Sequence, residues 1–239
     1  MVSARCLDRF IAEHRLPDSF RNTATTIYEP LAAWLRRRLA SKTPFLLGIN
    51  GAQGTGKSTL AAYLALALGE SGHCNVAILS IDDFYLTKAE RLQRAESIHP
   101  LLATRGVPGT HDISMLRDCL SRLRALKAGQ HCRLPRFDKA ADDRADEASW
   151  PAVSGPVDLI ILEGWCVGSV AEGEAGLETP VNELEATRDA DGRWRRYANE
   201  RLATDYADVF DGLDALVFLQ APGFDAILRW RVEQEQKLA

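Results

Sequence analysis

A glycine-rich run set between an apolar strand and an apolar helix constrains this chain more than any other stretch. Phe45-Leu46-Leu47-Gly48-Ile49 is continuously apolar, as a strand covered on both faces must be. It leads into Gly51-Ala52-Gln53-Gly54-Thr55-Gly56-Lys57-Ser58, which fits the spacing G-x-x-x-x-G-K-[ST]. A helix then opens at Ser58, with Leu60, Tyr63, Leu64 and Leu68 on one face. Glycines let the backbone curl so that its N–H groups point at phosphate oxygens, and the helix N-terminus adds a partial positive charge. Lys57 is placed to neutralise β- and γ-phosphates, and the Ser58 hydroxyl to help hold Mg²⁺. A glycine turn beside a solvated lysine needs neither the strand before it nor the helix after it. The stretch predicts a nucleoside triphosphate site.

At 239 residues the chain suits an α/β unit with a sizeable core. A net charge of −4 argues against general nucleic-acid binding. Cys6, Cys74, Cys119, Cys132 and Cys166 are an odd set without a C-x-x-C pair, so neither a disulfide framework nor a zinc site is expected. The first residues lack the apolar run of a signal peptide, and no run reaches the length of a transmembrane helix. The expectation is a cytoplasmic protein without nucleic-acid or membrane partners; composition does not speak to its oligomeric state.

Two helical stretches precede the phosphate loop. The first rests on Leu7, Phe10 and Ile11 and ends at Pro17; the second, over residues 20–39, rests on Ile27, Leu31, Trp34, Leu35 and Leu39. Beyond the loop, apolar runs recur at 76–81, 157–162 and 215–219, alternating with helical patterns. The first run ends in Asp82-Asp83-Phe84-Tyr85. Polar groups just past the carboxyl end of a parallel strand lie at the rim where open α/β sheets bind ligands. The two carboxylates read either as a helix cap with a solvated neighbour or as a base or metal ligand facing the γ-phosphate. The second run ends in Glu163, the Walker B pattern in which a carboxylate orients Mg²⁺ or its water. An acidic turn residue is the plainer reading of Glu163, and the Mg²⁺ chemistry implied by Ser58 weighs against it. Residues 99–112 form an ordered loop rich in Gly, Pro and polar residues, a kind that often carries function. On the last helix, Arg229 and Arg231 either close over phosphates or pair with Glu233 and Glu235.

Parallel strands alternating with helices, with a phosphate loop after the first, give an α/β P-loop NTPase fold, a three-layer sandwich with a mainly parallel sheet. In combination, GINGAQGTGKSTL, SIDDFYLT, HPLLATRGVPGTHDI, LPRFDKAADDR, ILEGWCVG and WRVEQE resemble the D-glycerate 3-kinase group and its bacterial and fungal kinase-like relatives. That group is allied to uridine kinase, pantothenate kinase and phosphoribulokinase. The resemblance spans about residues 20–239 and implies a P-loop kinase domain over 44–239 with a lid helix, onto which 1–43 packs. It implies that Gly51, Ala52, Gln53, Gly54, Thr55, Gly56, Lys57, Ser58 and Thr59 cradle the phosphates of ATP. Asp82 becomes the general base, with Asp83 and Tyr85 beside it on the acceptor side. Arg105, Thr110, His111 and Asp112 fall in the acceptor loop, and Arg136, Asp138 and Lys139 in the next acceptor motif. Glu163 becomes the Walker B acid, sharing Mg²⁺ with Ser58, and Arg229 and Arg231 match the lid. In two places the chain departs from the pattern. It ends directly after the lid motif, where relatives usually continue through a further helix, so the expectation is either a truncated C-terminus or a dispensable last element. Phe137 stands where relatives often have Tyr, which removes a hydroxyl.

The activity so implied is ATP-dependent transfer of a γ-phosphoryl group to a hydroxyl, with D-glycerate as the first candidate. Such an anionic acceptor needs a cationic clamp, for which Arg105, Arg136 and Lys139 are suitably placed in the sequence. Nucleoside, pantothenate and sugar acceptors stay open, because loops set acceptor choice on a shared fold. A nucleotide-hydrolysing switch or assembly factor is the competitor from another class; the chain has no N/T-K-x-D guanine motif.

Overall fold

The four apolar runs form one parallel sheet. β1 (Phe45–Gly51), β2 (Val76–Ser80), β3 (Leu159–Gly164) and β4 (Ala215–Leu219) lie in the order β2-β3-β1-β4. In this computed structural model, which describes residues 2–70 and 74–238, every strand pair in that sheet is parallel. β1 and β3 occupy its centre and are buried at every position, because helices cover both of their faces. Successive side chains alternate between the layers. Phe45, Leu47, Ile49, Leu159 and Ile161 pack into one core, and Leu46, Leu79, Ile160 and Leu162 into the other.

The first core is closed by α1 (Ala4–Glu13), α2 (Glu29–Leu39) and α3 (Lys57–Glu70) through Phe10, Leu35, Tyr63 and Leu64. Glu29 anchors this layer, accepting from the backbone N–H of Val2 at 2.6 Å and the hydroxyl of Tyr63 at 2.9 Å. The helix over residues 20–39 forms as its periodicity predicts, with one correction. A π-helical turn, Ala24–Tyr28, precedes α2 and shifts the helical phase. Ala24 and Tyr28 therefore face inward, and Ile27, expected in the apolar stripe, is 57% exposed. The shift also places the Tyr28 hydroxyl beneath the phosphate loop, near Gly56.

The second core is closed by α5 (Ile113–Ala125) together with Tyr206, Val209 and Phe210. Before α5 comes α4 (Lys88–Ser97), started by a Thr87/Glu90 capping box. The polar stretch at 131–154 folds as two small antiparallel ribbons, His131–Arg133 with Ala152–Ser154 and Phe137–Asp138 with Asp143–Arg144. Then follow α6 (Arg193–Arg201), which runs through a π turn at Leu202–Tyr206, and α7 (Phe224–Leu238). All five cysteines are free. Among the described residues, no helix is long and apolar enough to cross a membrane.

Candidate active site

Sheet register brings three strand ends together. Glu163, on central β3, lies opposite Ile49 of β1 on one side and Ser80 of β2 on the other. The phosphate loop leaves β1 beside Glu163, and Asp82 follows β2 on its other flank. Within the loop, Gly54 and Gly56 take left-handed backbone at φ 81 and 89, where a side chain would be strained. Thr55 Oγ1 and Lys57 Nζ both donate to the carbonyl of Ala52, at 2.7 and 3.0 Å, which tightens the curl. Gly54 has a second constraint, since a Cβ there would come within 2.6 Å of the Trp230 Cβ on α7.

The Ser58 hydroxyl donates to Glu163 Oε1 at 2.9 Å. Burial pushes the Glu163 carboxyl up, opposed by the Ser58 hydroxyl and the Lys57 charge. Burial likewise lowers the Lys57 ammonium, opposed by Glu163 and Asp82. One hydroxyl and one carboxylate at hydrogen-bonding distance, beside the glycine-rich loop, are the hard oxygen donors that Mg²⁺ takes alongside phosphate. The residues present fit that ion.

Asp82 and Asp83 share one turn of tight helix, Ile81–Phe84, which sends them in different directions. Asp82 lines the cavity. Its Oδ2 lies 2.8 Å from Lys139 Nζ, and its Oδ1 accepts from the Tyr85 hydroxyl at 3.2 Å. Burial raises this carboxyl, but the hydrogen bond and charge of Lys139, with His111 and Tyr85, outweigh it and hold the group below its ordinary range. Asp83 instead accepts from Arg136 at 3.1 Å and from the Phe137 N–H at 3.2 Å. Burial raises its carboxyl despite Arg136.

The cavity measures about 440 Å³, the size of a small-molecule site. Its walls include Gln53, Gly54, Gly56, Lys57, Ser58 and Thr59 from the loop, then Asp82, Lys139 and Glu163. Ser80, Gly164, Trp165, His14, Leu16 and Trp230 complete the lining, and sequence reasoning had assigned none of these to the site. Trp165 follows the Walker B strand and donates its indole N–H to the Gly106 carbonyl at 3.0 Å, so its place after Glu163 was a usable signal. Trp230 neighbours the arginines that the lid motif drew attention to. His14 and Leu16 carried no signal.

Among the described residues, Arg105, Thr110, His111, Asp112 and Asp138 do not line this cavity. Arg105 pairs with Asp142 and lies 5.6 Å from the centre of the Phe137 ring. Thr110 Oγ1 donates to the Val107 carbonyl at 2.7 Å and accepts from the Gly106 N–H at 3.1 Å. Asp112 caps α5 through the Met115 N–H at 2.9 Å and pairs with Arg144 at 3.0 Å. Asp138 accepts from the N–H groups of Ala140 and Ala141 at 2.9 and 3.0 Å, closing a turn. His111 is buried, stacked on Tyr85 at 4.3 Å, with Nδ1 2.6 Å from the Tyr206 hydroxyl. That hydroxyl also accepts from the Gly109 N–H at 2.9 Å. Burial lowers the His111 pKa to about 3, so the ring is neutral, and its Nε2 has no hydrogen-bond partner among the described residues. Arg229 is exposed on α7 and is not part of the cavity lining; the side chain of Arg231 lies outside the described residues.

No family model matches the chain. Individual relatives do. The kinase mug58 of Schizosaccharomyces pombe is 35% identical over 208 residues, which cover 82% of this chain and 71% of that protein. The chloroplastic D-glycerate 3-kinase of Arabidopsis thaliana is 33% identical over 207 residues, covering 80% of this chain and 41% of the plant enzyme. The chain thus spans well under half the length of that relative. A solved D-glycerate 3-kinase from Cryptococcus neoformans superposes with a TM-score of 0.73 at 27% identity, covering 89% of this chain and 79% of that one.

Proposed function

The chain belongs to the P-loop kinase family that contains D-glycerate 3-kinase, ATP-dependent phosphotransferases acting on hydroxyl groups, and we propose that its acceptor is D-glycerate. The observation that carries this reading is that a carboxylate held in its charged form, Asp82, opens into the same cavity as the phosphate loop. The loop from Gly51 to Thr59 receives the triphosphate, with Lys57 against its terminal phosphates. Ser58 and Glu163 would hold Mg²⁺, which supplies charge neutralisation on the phosphates when bound.

Asp82 accepts the proton of the acceptor hydroxyl as that oxygen bonds to the γ-phosphorus. The bond from the γ-phosphorus to the β,γ-bridging oxygen breaks, and its electron pair leaves with ADP. Catalysis on this plan is positioning plus electrostatics, with Lys57 and the loop amides facing the charge that develops. Asp83 does not compete for the proton, because it is turned to Arg136 and the Phe137 N–H and does not line the cavity.

The expected cationic clamp changes in one respect. Arg105 and Arg136, paired with Asp142 and Asp83, do not line the cavity, so the acceptor-side cation inside it is Lys139. An ADP-release assay over D-glycerate, other hydroxy acids, nucleosides, pantothenate and sugars tests the reading. Strong stimulation by D-glycerate alone is the expected result. Stimulation by one of the other acceptors replaces D-glycerate, and release indifferent to every acceptor replaces the kinase with a nucleotide-hydrolysing switch.

A further inference from the structure

Both oxygens of the Asp82 carboxylate are engaged before any acceptor arrives, one by Lys139 Nζ at 2.8 Å and one by the Tyr85 hydroxyl at 3.2 Å. Lys139 stands at the turn of the ribbon in which Phe137–Asp138 pairs with Asp143–Arg144. That ribbon is fixed from behind. Asp142, in left-handed backbone at φ 54, pairs with the fully buried Arg91 at 2.7 Å and with Arg105. Arg91 also donates to the carbonyls of Leu86 at 2.6 Å and Asp142 at 3.0 Å. The backbone that carries Lys139 is therefore held, while its side chain is 62% exposed and spans open cavity to reach Asp82. Among the described residues, Asp82 is the sole carboxylate paired with that ammonium.

We infer that Lys139 is a specificity latch: it occupies Asp82 in the acceptor-free enzyme and transfers to the carboxylate of an anionic hydroxy acid, freeing the base for acceptors that carry such a group. The inference rests on the proposed function of this site and adds how the site selects its acceptor. An ion pair this exposed contributes little net free energy. Exchanging one carboxylate partner for another on a flexible four-carbon stem is therefore easy, and the ammonium has three donors with which to make the exchange. A neutral acceptor has nothing to offer the ammonium, so it meets a base that is still covered. Water meets the same covered base, which limits wasteful hydrolysis of ATP. Tyr85 does not act in this way, because its hydroxyl belongs to a buried side chain stacked on His111.

Glycerol is the probe that separates the two cases, since it keeps the hydroxyls of glycerate and lacks the carboxylate. The full chain, with Lys139→Met and Lys139→Arg variants, is assayed for kcat and KM on D-glycerate and on glycerol, and for ADP release without acceptor. In Lys139→Met, kcat/KM for D-glycerate should fall about 10- to 100-fold, chiefly through KM, as expected for loss of one charge-assisted contact. The glycerol-to-glycerate ratio of kcat/KM should rise by roughly tenfold or more, and acceptor-free ADP release should rise with it. Lys139→Arg should keep the wild-type ratio within about threefold. A Lys139→Met enzyme whose ratio and acceptor-free rate match the wild type overturns the latch alone. A wild type that turns over no hydroxy acid overturns the proposed acceptor and the latch together.

Discussion

The phosphate loop keeps its shape from within, with Gly54 and Gly56 in left-handed conformations and the Thr55 and Lys57 side chains bonded back to the Ala52 carbonyl. Across the cavity, the acceptor loop and the ribbon keep theirs through charge: Arg105 with Asp142, Arg136 with Asp83, Arg144 with Asp112 and Lys139 with Asp82. The difference follows from what each half has to recognise. A triphosphate presents the same oxygens every time, so fixed amides and one lysine suffice. An acceptor must be told apart from others with the same hydroxyl, and ion pairs that can be exchanged supply that test. The donor half is therefore expected to fail by losing chemistry, and the acceptor half by losing order, stability or selectivity.

The largest effect belongs to the donor half. Lys57→Met should lower kcat/KM for ATP by about 10³-fold, the scale of removing one transition-state charge contact from a closed site. Turnover within tenfold of wild type would break the comparison at its strongest point. On the acceptor side, Arg91→Met should destabilise the fold by about 3 kcal/mol, because it strips the carbonyls of Leu86, Ala103 and Asp142 of a buried donor and leaves the Asp142 carboxylate to Arg105 alone. Urea unfolding measures this, and an unchanged midpoint would mean that the ribbon does not depend on its ion pairs. Next comes His111, whose pKa is lowered by burial from 6.5 to about 3. The unfolded chain binds a proton below its own pKa while the folded chain does not, so this group makes stability rise with pH between those values. Its share is fully present above about pH 6.5 and shrinks as pH falls, by about 1.4 kcal/mol per unit at most. Unfolding free energies at pH 7 and pH 5 should differ in that sense, and His111→Gln should flatten the slope. The smallest effect returns to the donor half, at Trp230 in the cavity wall. Trp230→Ala should raise KM for ATP roughly threefold by removing the indole from that wall and leave kcat within about twofold. A collapse of kcat instead would show that the loop is not held by its own backbone.

What could be read from the chain divides along the same line. The strands and the phosphate loop are local patterns, and a glycine at the right spacing carries its backbone requirement with it, so both were legible. Glu163 was legible for a similar reason, because its position at the end of an apolar run carries the meaning. Asp82 and Asp83 are adjacent and chemically identical, and residue type alone does not separate them; the tight turn Ile81–Phe84 does, aiming one into the cavity and the other at Arg136. The pairing of the cations expected on the acceptor side was not legible, since Arg136 meets Asp83 and Arg105 meets Asp142 across long stretches of chain. His14 and Leu16 line the cavity from the end of an N-terminal helix whose periodicity speaks only of packing. On α7, helical phase turns Trp230 toward the loop and leaves Arg229 exposed, a distinction that depends on where the whole helix sits.

The most direct test compares Asp82→Asn with the wild type, measuring kcat with D-glycerate and the dissociation constant of ATP on the same preparations. If Asp82 takes the acceptor proton beside a self-supporting phosphate loop, kcat falls by about 10²- to 10⁴-fold while ATP affinity stays within about threefold. Turnover close to the wild-type rate would contradict that claim and move the base elsewhere in the cavity.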